Sequence, residues 1–230
     1  MKKKQDLEKM PLRMPLRQSN RTESCCDSLE HARPERRDAA ENRQRILAVS
    51  NQLFGERGIE NVTMSQIAKA AGIGQGTLYR RYANKGELCI ALLKANLPQL
   101  RNEVDQYLEQ TAASMSKLGQ LNSVLERLVN FIEEQLPLLG AIEDAAVKHK
   151  RGMQFHNPWY EWMHQTVSGL LNEAIAQDEI LPLNTTFTAD AVLATLNIDL
   201  YLFQRSDRGF TPEQILQGTR WIYIERLKQS

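Results

Sequence analysis

Long apolar runs are missing from this 230-residue chain. No stretch approaches the roughly 18 consecutive apolar residues that a membrane span requires. Lys2, Lys3 and Lys4 open the chain, but no apolar core follows them, so a secretory leader is not expected. Cysteine is scarce too: Cys25, Cys26 and Cys89 are too few and too scattered for a disulfide framework. A cytoplasmic protein, with no membrane association, is the simplest expectation. The common catalytic signatures are also missing, with no Gly-rich phosphate loop, GxSxG elbow or HExxH helix. An enzyme is therefore not expected, nor a cofactor. His149, His156 and His164 cross a predicted loop at spacings that match no zinc signature, so no metal is expected either. Finally, no convincing alternating strand of five or more residues occurs, which leaves an all-α fold.

Charge of one sign is nearly balanced over the whole chain, at +1, but not along it. Residues 1–96 carry 18 Lys and Arg against 11 Asp and Glu, whereas residues 97–230 carry 11 against 17. A basic front and an acidic back imply that the front meets a polyanion. The imbalance survives removal of the N-terminal segment, since residues 46–96 hold six basic groups and three acidic ones.

Residues 1–37 are rich in Lys, Arg, Gln, Ser and Glu and contain Pro11, Pro15 and Pro34 without a sustained apolar period. They are expected to form a disordered basic tail. From Asp38 the period becomes helical. Ile46, Leu47, Ser50, Leu53 and Phe54 share one face, and Gly55 and Gly58 end the run. Thr63 is an N-cap, and Gln66 three residues later gives capping-box spacing. Gly72-Ile73-Gly74 makes a turn in which Gly72 takes a positive φ and Ile73 plugs the angle between helices. A short third helix over Gln75–Tyr82 turns Leu78 and Tyr82 inward. That leaves Gln75, Gly76, Thr77, Tyr79, Arg80 and Arg81 on the surface.

This surface carries the chemistry. Tyr79, Arg80, Arg81 and Lys85 gather a phenol and three cations within about two helical turns, a donor density that suits phosphate oxygens. Thr63 and Ser65 add hydroxyl donors at the start of the second helix. An exposed helical glycine costs about 1 kcal/mol relative to alanine, so Gly76 implies close approach by another backbone.

The spacing Thr63-x3-Ile67-Ala68-x2-Ala71-Gly72-Ile73-x2-Gly76-x-Leu78-Tyr79-x2-Tyr82-x2-Lys85-x2-Leu88 resembles the DNA-binding domain of the TetR family of bacterial transcriptional regulators. The match covers about residues 38–98. The resemblance implies a three-helix helix-turn-helix domain over 38–98 and a helical ligand-binding and dimerisation domain over 99–230. It implies a homodimer built on the last two helices, a palindromic double-stranded DNA operator, and repression relieved by a small-molecule effector. It places Thr63, Gly74, Gln75, Gly76, Tyr79, Arg81 and Lys85 at DNA-contacting positions. We assign Gln75 and Thr77 to base edges and Tyr79, Arg81 and Lys85 to phosphates, with Arg80 suited to either. The chain departs from the family's usual serine at Gly74, histidine at Arg81 and phenylalanine at Tyr82, three places where its DNA preference is expected to differ. The alternative reading is an all-helical adaptor that binds proteins and not DNA.

The back half is read as helices over Leu88–Leu108, with a kink or break at Pro98, and over Leu121–Leu136, Pro137–Lys150, Trp159–Gln177, Phe187–Phe203 and Pro212–Lys228. Phe187–Phe203 is apolar on almost every side and so requires cover on two faces. Phe155, Trp159, Trp162 and Met163 cluster as candidate ligand contacts, together with Asn197 and Tyr201 from the apolar helix.

Overall fold

The computed structural model describes residues 37–144 and 157–227, so the predicted N-terminal tail, Cys25, Cys26, Phe155, His149 and His156 lie outside the described residues. The chain resolves into two compact units, Met1–Glu41 and Asn42–Ser230. Of the first, only the opening turn of a helix is described. Among the described residues the fold is all-α, with no β-strand.

The elements in order are α1 (Arg37–Arg57), α2 (Met64–Ala70), α3 (Gln75–Arg81), α4 (Lys85–Thr111), α5 (Lys117–Asp144), α6 (Pro158–Ala176), α7 (Thr185–Thr195), α8 (Ile198–Ser206) and α9 (Pro212–Arg220). One turn of π-helix at Trp221–Glu225 extends α9. The boundaries follow local chemistry. Gly58, at φ +78°, stops α1, and its N–H donates to the Phe54 carbonyl at 3.0 Å. Thr63 caps α2 through the anticipated reciprocal pair: its hydroxyl accepts from the Gln66 N–H at 3.2 Å, while its own N–H donates to Gln66 Oε1 at 2.8 Å. Gly72, at φ +66°, closes α2, and the Ile73 N–H reaches back to the Ala68 carbonyl at 3.0 Å. Asn84 caps α4, accepting from the Glu87 N–H at 2.9 Å. The first two N–H groups of α5 donate to Glu179, at 2.7 and 2.9 Å, so that end is satisfied by a residue beyond α6.

Two hydrophobic cores result. The front core gathers Ile46 and Phe54 of α1, Ile67 of α2, Leu78 of α3, Tyr82, and Leu88 and Leu92 of α4. Leu138 and Ile142, near the end of α5, pack into it as well. The back core takes Leu100 and Val104 from α4, Leu121 to Ile132 from α5, and buried residues of α6 to α9. Two helices thus belong to both cores: α4 passes from Leu88 to Val104, and α5 from Leu121 to Ile142. Ser50, the small residue at the centre of α1, is fully buried and donates its hydroxyl to the Ile46 carbonyl at 2.7 Å.

Three predicted boundaries are corrected. Pro98 lies inside α4, and the helix runs on to Thr111. Pro137 likewise lies inside α5 and does not begin a new helix. In both cases residues on each side of the proline are anchored in a core, so packing holds the helix together despite the missing N–H. Conversely, the apolar run 187–203 is two helices. Asn197 separates them, its side chain accepting from the Asp199 N–H at 3.0 Å and starting α8 afresh.

Candidate functional site

The α2–turn–α3 unit presents a continuous polar surface. Leu78 is fully buried and Tyr82 is buried beside it, so α3 is held by one face only. Truncating Leu78 to alanine would cost about 2–5 kcal/mol by the usual scale for buried leucines. The opposite face exposes Gly74, Gln75, Gly76, Thr77, Tyr79 and Arg80. Tyr79 is 49% exposed, a large aromatic left uncovered. Thr63 and Ser65 are exposed at the start of α2, and Gln75 Nε2 donates to the Ser65 hydroxyl at 2.8 Å, tying the two helices together. Arg80 folds back on its own helix, donating to the Gly76 carbonyl at 3.1 Å and to the Thr77 hydroxyl at 3.4 Å.

Two of the anticipated cations sit differently from the rest. Arg81 is half-buried, and Lys85 is half-buried with its ammonium donating to the Ile59 carbonyl at 2.6 Å. In this conformation Lys85 ties α4 to the loop after α1. Gly76 has open space around it: a Cβ built there meets no heavy atom within 4 Å. Nothing among the described residues therefore requires glycine at this position. The Tyr82 hydroxyl is buried with no hydrogen-bond partner among the described residues, so the departure from phenylalanine adds an unsatisfied polar atom to the front core. Beneath this surface, burial pushes the Cys89 thiol up to about 11, partly offset by the nearby Lys85.

The second candidate lies in the back half. A cavity of about 260 Å³ opens between α4, α5, α6 and the α7–α8 junction. Of the candidate ligand contacts, Trp159, Met163 and Asn197 line it. Trp162 and Tyr201 do not. Trp162 turns toward α4, where its indole N–H donates to Asp105 at 3.3 Å and the Arg101 guanidinium lies 5.7 Å from its ring centre. Tyr201 is fully buried and donates to Glu133 at 2.6 Å, and Arg205 Nε donates to the same carboxylate at 2.8 Å. Burial first, then that hydrogen bond and the Glu133 charge, raise the Tyr201 phenol well above its ordinary range. Both residues belong to the helix packing instead.

Most of the remaining lining was not anticipated. Leu93 and Leu97 come from α4, and Phe131, Ile132, Gln135 and Leu139 come from α5. In sequence these are ordinary members of apolar helical faces, and no spacing sets cavity residues apart from core residues. Trp159, which lines the cavity, packs against Trp162 behind it in a tilted pair with ring centres 4.7 Å apart. Tyr160 also faces the cavity, and its hydroxyl donates to Asp190 at 2.7 Å. Burial, reinforced by that hydrogen bond and charge, pushes the phenol up to about 12, so it stays neutral at any physiological pH. A polar groove of about 420 Å³ adjoins the cavity, sharing Phe131 and Gln135 and reaching Asn51 of α1. His164 lies 3.2 Å from the Thr186 carbonyl and 3.5 Å from Asp190.

Large apolar side chains are also exposed near the C-terminus. Leu200 and Phe203 share one side of α8, while Trp221, 57% exposed, and Ile222, 54% exposed, stand on the π-helical turn. No described helix is long and apolar enough to cross a membrane.

Residues 46–92 match the family described as "Bacterial regulatory proteins, tetR family", a segment running from α1 through α3 into α4. The chain is 29% identical over 195 residues to the HTH-type transcriptional regulator SAB2452 of Staphylococcus aureus (strain bovine RF122 / ET3-1), covering 85% of this chain and 99% of that protein. Its fold is similar to that of FadR from Thermus thermophilus, a TetR-family transcriptional repressor solved in complex with lauroyl-CoA. That likeness has a TM-score of 0.60 at 19% identity, over 82% of this chain and 96% of the other. A putative TetR-family transcriptional regulator from Syntrophomonas wolfei matches with a TM-score of 0.54 at 18% identity, over 80% and 93% of the two chains.

Proposed function

We infer that this chain, which belongs to the TetR family of bacterial regulatory proteins and is a DNA-binding transcriptional regulator, acts as a homodimeric repressor that leaves a palindromic operator when a small molecule fills the cavity of its back half. The observation that carries this reading is the exposed face of α3. Gln75, Gly76, Thr77 and Tyr79 stand free of the core that buries Leu78 on the other side. A helix so exposed on one face can enter a major groove, where Gln75 and Thr77 meet base edges. Tyr79, Arg81 and Thr63 then meet phosphates, joined by Lys85 once it exchanges the Ile59 carbonyl for a phosphate oxygen. Gly74, Ser65 and Arg80 complete the surface.

We assign residues 38–98 to the DNA-binding domain and 99–230 to effector binding and dimerisation. Each half of a palindrome calls for its own copy of α3, and the two-fold symmetry of a dimer supplies it. Leu200, Phe203, Trp221 and Ile222 give the C-terminal helices an apolar face for that contact. The cavity is the effector site, because its walls include Leu93 and Leu97 of α4, the helix whose first turns belong to the DNA-binding core. A molecule that displaces α4 there moves α3 with it. The lauroyl-CoA bound by the similar Thermus thermophilus protein supports placing an effector in a helical body of this kind.

A gel shift with DNA taken from upstream of the protein's own gene tests the reading. Specific retardation by wild type, weakened by Gln75→Ala, is expected. No retardation, together with a protein partner recovered by pull-down, would instead establish the helical adaptor.

A further inference from the structure

The cavity's lining is chemically selective. Among the described residues that line it there is no Lys, Arg, His, Asp or Glu. Its one titratable group, Tyr160, spends its proton on Asp190. A ligand carrying a formal charge would leave water for walls that offer no counter-ion, which is among the most costly transfers in protein chemistry. Its volume of about 260 Å³ is close to the lower end of the roughly 300–1,000 Å³ range typical of small-molecule sites.

Besides Tyr160 and the Trp159 indole, two carboxamides line the cavity, and the oxygen of each already accepts one hydrogen bond. Gln135 is buried in α5, and its Oε1 accepts from Asn96 Nδ2 of α4 at 2.8 Å. Asn197 Oδ1 accepts from the Asp199 N–H at 3.0 Å as the cap of α8. Neither Nε2 of Gln135 nor Nδ2 of Asn197 donates to a protein atom among the described residues, so each amide keeps N–H donors to offer a ligand. The site is therefore apolar, uncharged and donor-bearing. Its complement is a molecule with an apolar body and an accepting oxygen.

We propose that the cavity binds an uncharged apolar compound bearing a carbonyl or ether oxygen, a ketone or ester for example, and that Gln135 is the donor that recognises that oxygen. The proposal rests on reading the cavity as the effector site. Gln135 then has two roles, because the same amide that meets the ligand holds Asn96, so occupancy of the cavity is felt directly by α4.

Isothermal calorimetry on the full chain with three eight-carbon probes, 2-octanone, octanoate and octylammonium, tests this. The ketone is expected to bind, and each ion to bind at least about tenfold more weakly. Gln135→Glu keeps an acceptor for Asn96 but removes the donor, and should weaken the ketone by about tenfold. Gln135→Leu, checked by thermal melting, should do the same without adding charge. Equal or tighter binding of either ion would overturn the proposal. So would absence of ketone binding, or unchanged ketone affinity in both variants. Ketone binding that leaves the DNA complex intact would support the ligand class and overturn the effector reading instead.

Discussion

Gly76→Ala should make the protein more stable and a worse DNA binder, and the two effects have separate origins. Gly76 is the second residue of α3, exposed, with no heavy atom within 4 Å of a Cβ built on it. The methyl group therefore strains nothing among the described residues. Alanine gains up to about 1 kcal/mol over glycine in a helix interior. At the second position of a seven-residue helix we expect roughly half of that. For a chain of this size, about 0.5 kcal/mol corresponds to a rise of about 1–2 °C in Tm. On DNA the same methyl occupies space that the duplex backbone would enter. Forcing a methyl into a close contact costs about 1–3 kcal/mol, or roughly five- to 150-fold in Kd. Thermal denaturation and fluorescence anisotropy on one preparation measure both quantities. Higher stability with unchanged DNA affinity would refute close approach as the reason for glycine. A lower Tm would refute the open environment on which the magnitude rests.

Other outcomes follow from the same geometry. Arg81→Ala should weaken binding to every DNA sequence and reduce the slope of log K against log salt by about 0.9, as loss of one phosphate contact does, whereas Gln75→Ala should change sequence preference; equal salt slopes for Arg81→Ala and wild type would refute the phosphate assignment. Tyr82→Phe removes a buried hydroxyl that has no partner among the described residues and should be neutral or stabilising by about 1 kcal/mol in urea denaturation, whereas a clear loss would show that the hydroxyl is satisfied in solution. Replacing Trp221 and Ile222 by serine should convert a dimer to a monomer in sedimentation at micromolar concentration, without lowering helix content. Cys89, buried and with its thiol pushed up to about 11, should resist iodoacetamide at pH 8 until the protein unfolds, as read by site-resolved mass spectrometry.

The front of the molecule was legible because its signals are local. A capping threonine with glutamine three residues on, a glycine able to adopt positive φ, and an inward pair at Leu78 and Tyr82 each act within one turn of helix, and the structure uses all of them. The back was less legible because its boundaries are set at a distance. Pro98 and Pro137 read locally as stops, yet packing on both sides carries α4 and α5 through them. Asn197 carried a readable signal, an N-cap with Asp199 in the first turn, that the surrounding apolar run masked. The cavity was the least legible feature. Whether Trp159 or Trp162 faces it depends on how α6 is rotated against α4 and α5. Periodicity marks both as apolar without saying which one meets open space.

In the proposed function, the exposed face of α3 reads DNA on behalf of a two-fold dimer. Selection of bound duplexes from a random-sequence pool by the purified full chain tests it most directly. Enrichment of an inverted repeat is expected, with Gln75→Ala altering symmetry-related positions in both halves. Recovery of no enriched sequence, or of one that Gln75→Ala and Gly76→Ala leave unchanged, would contradict it.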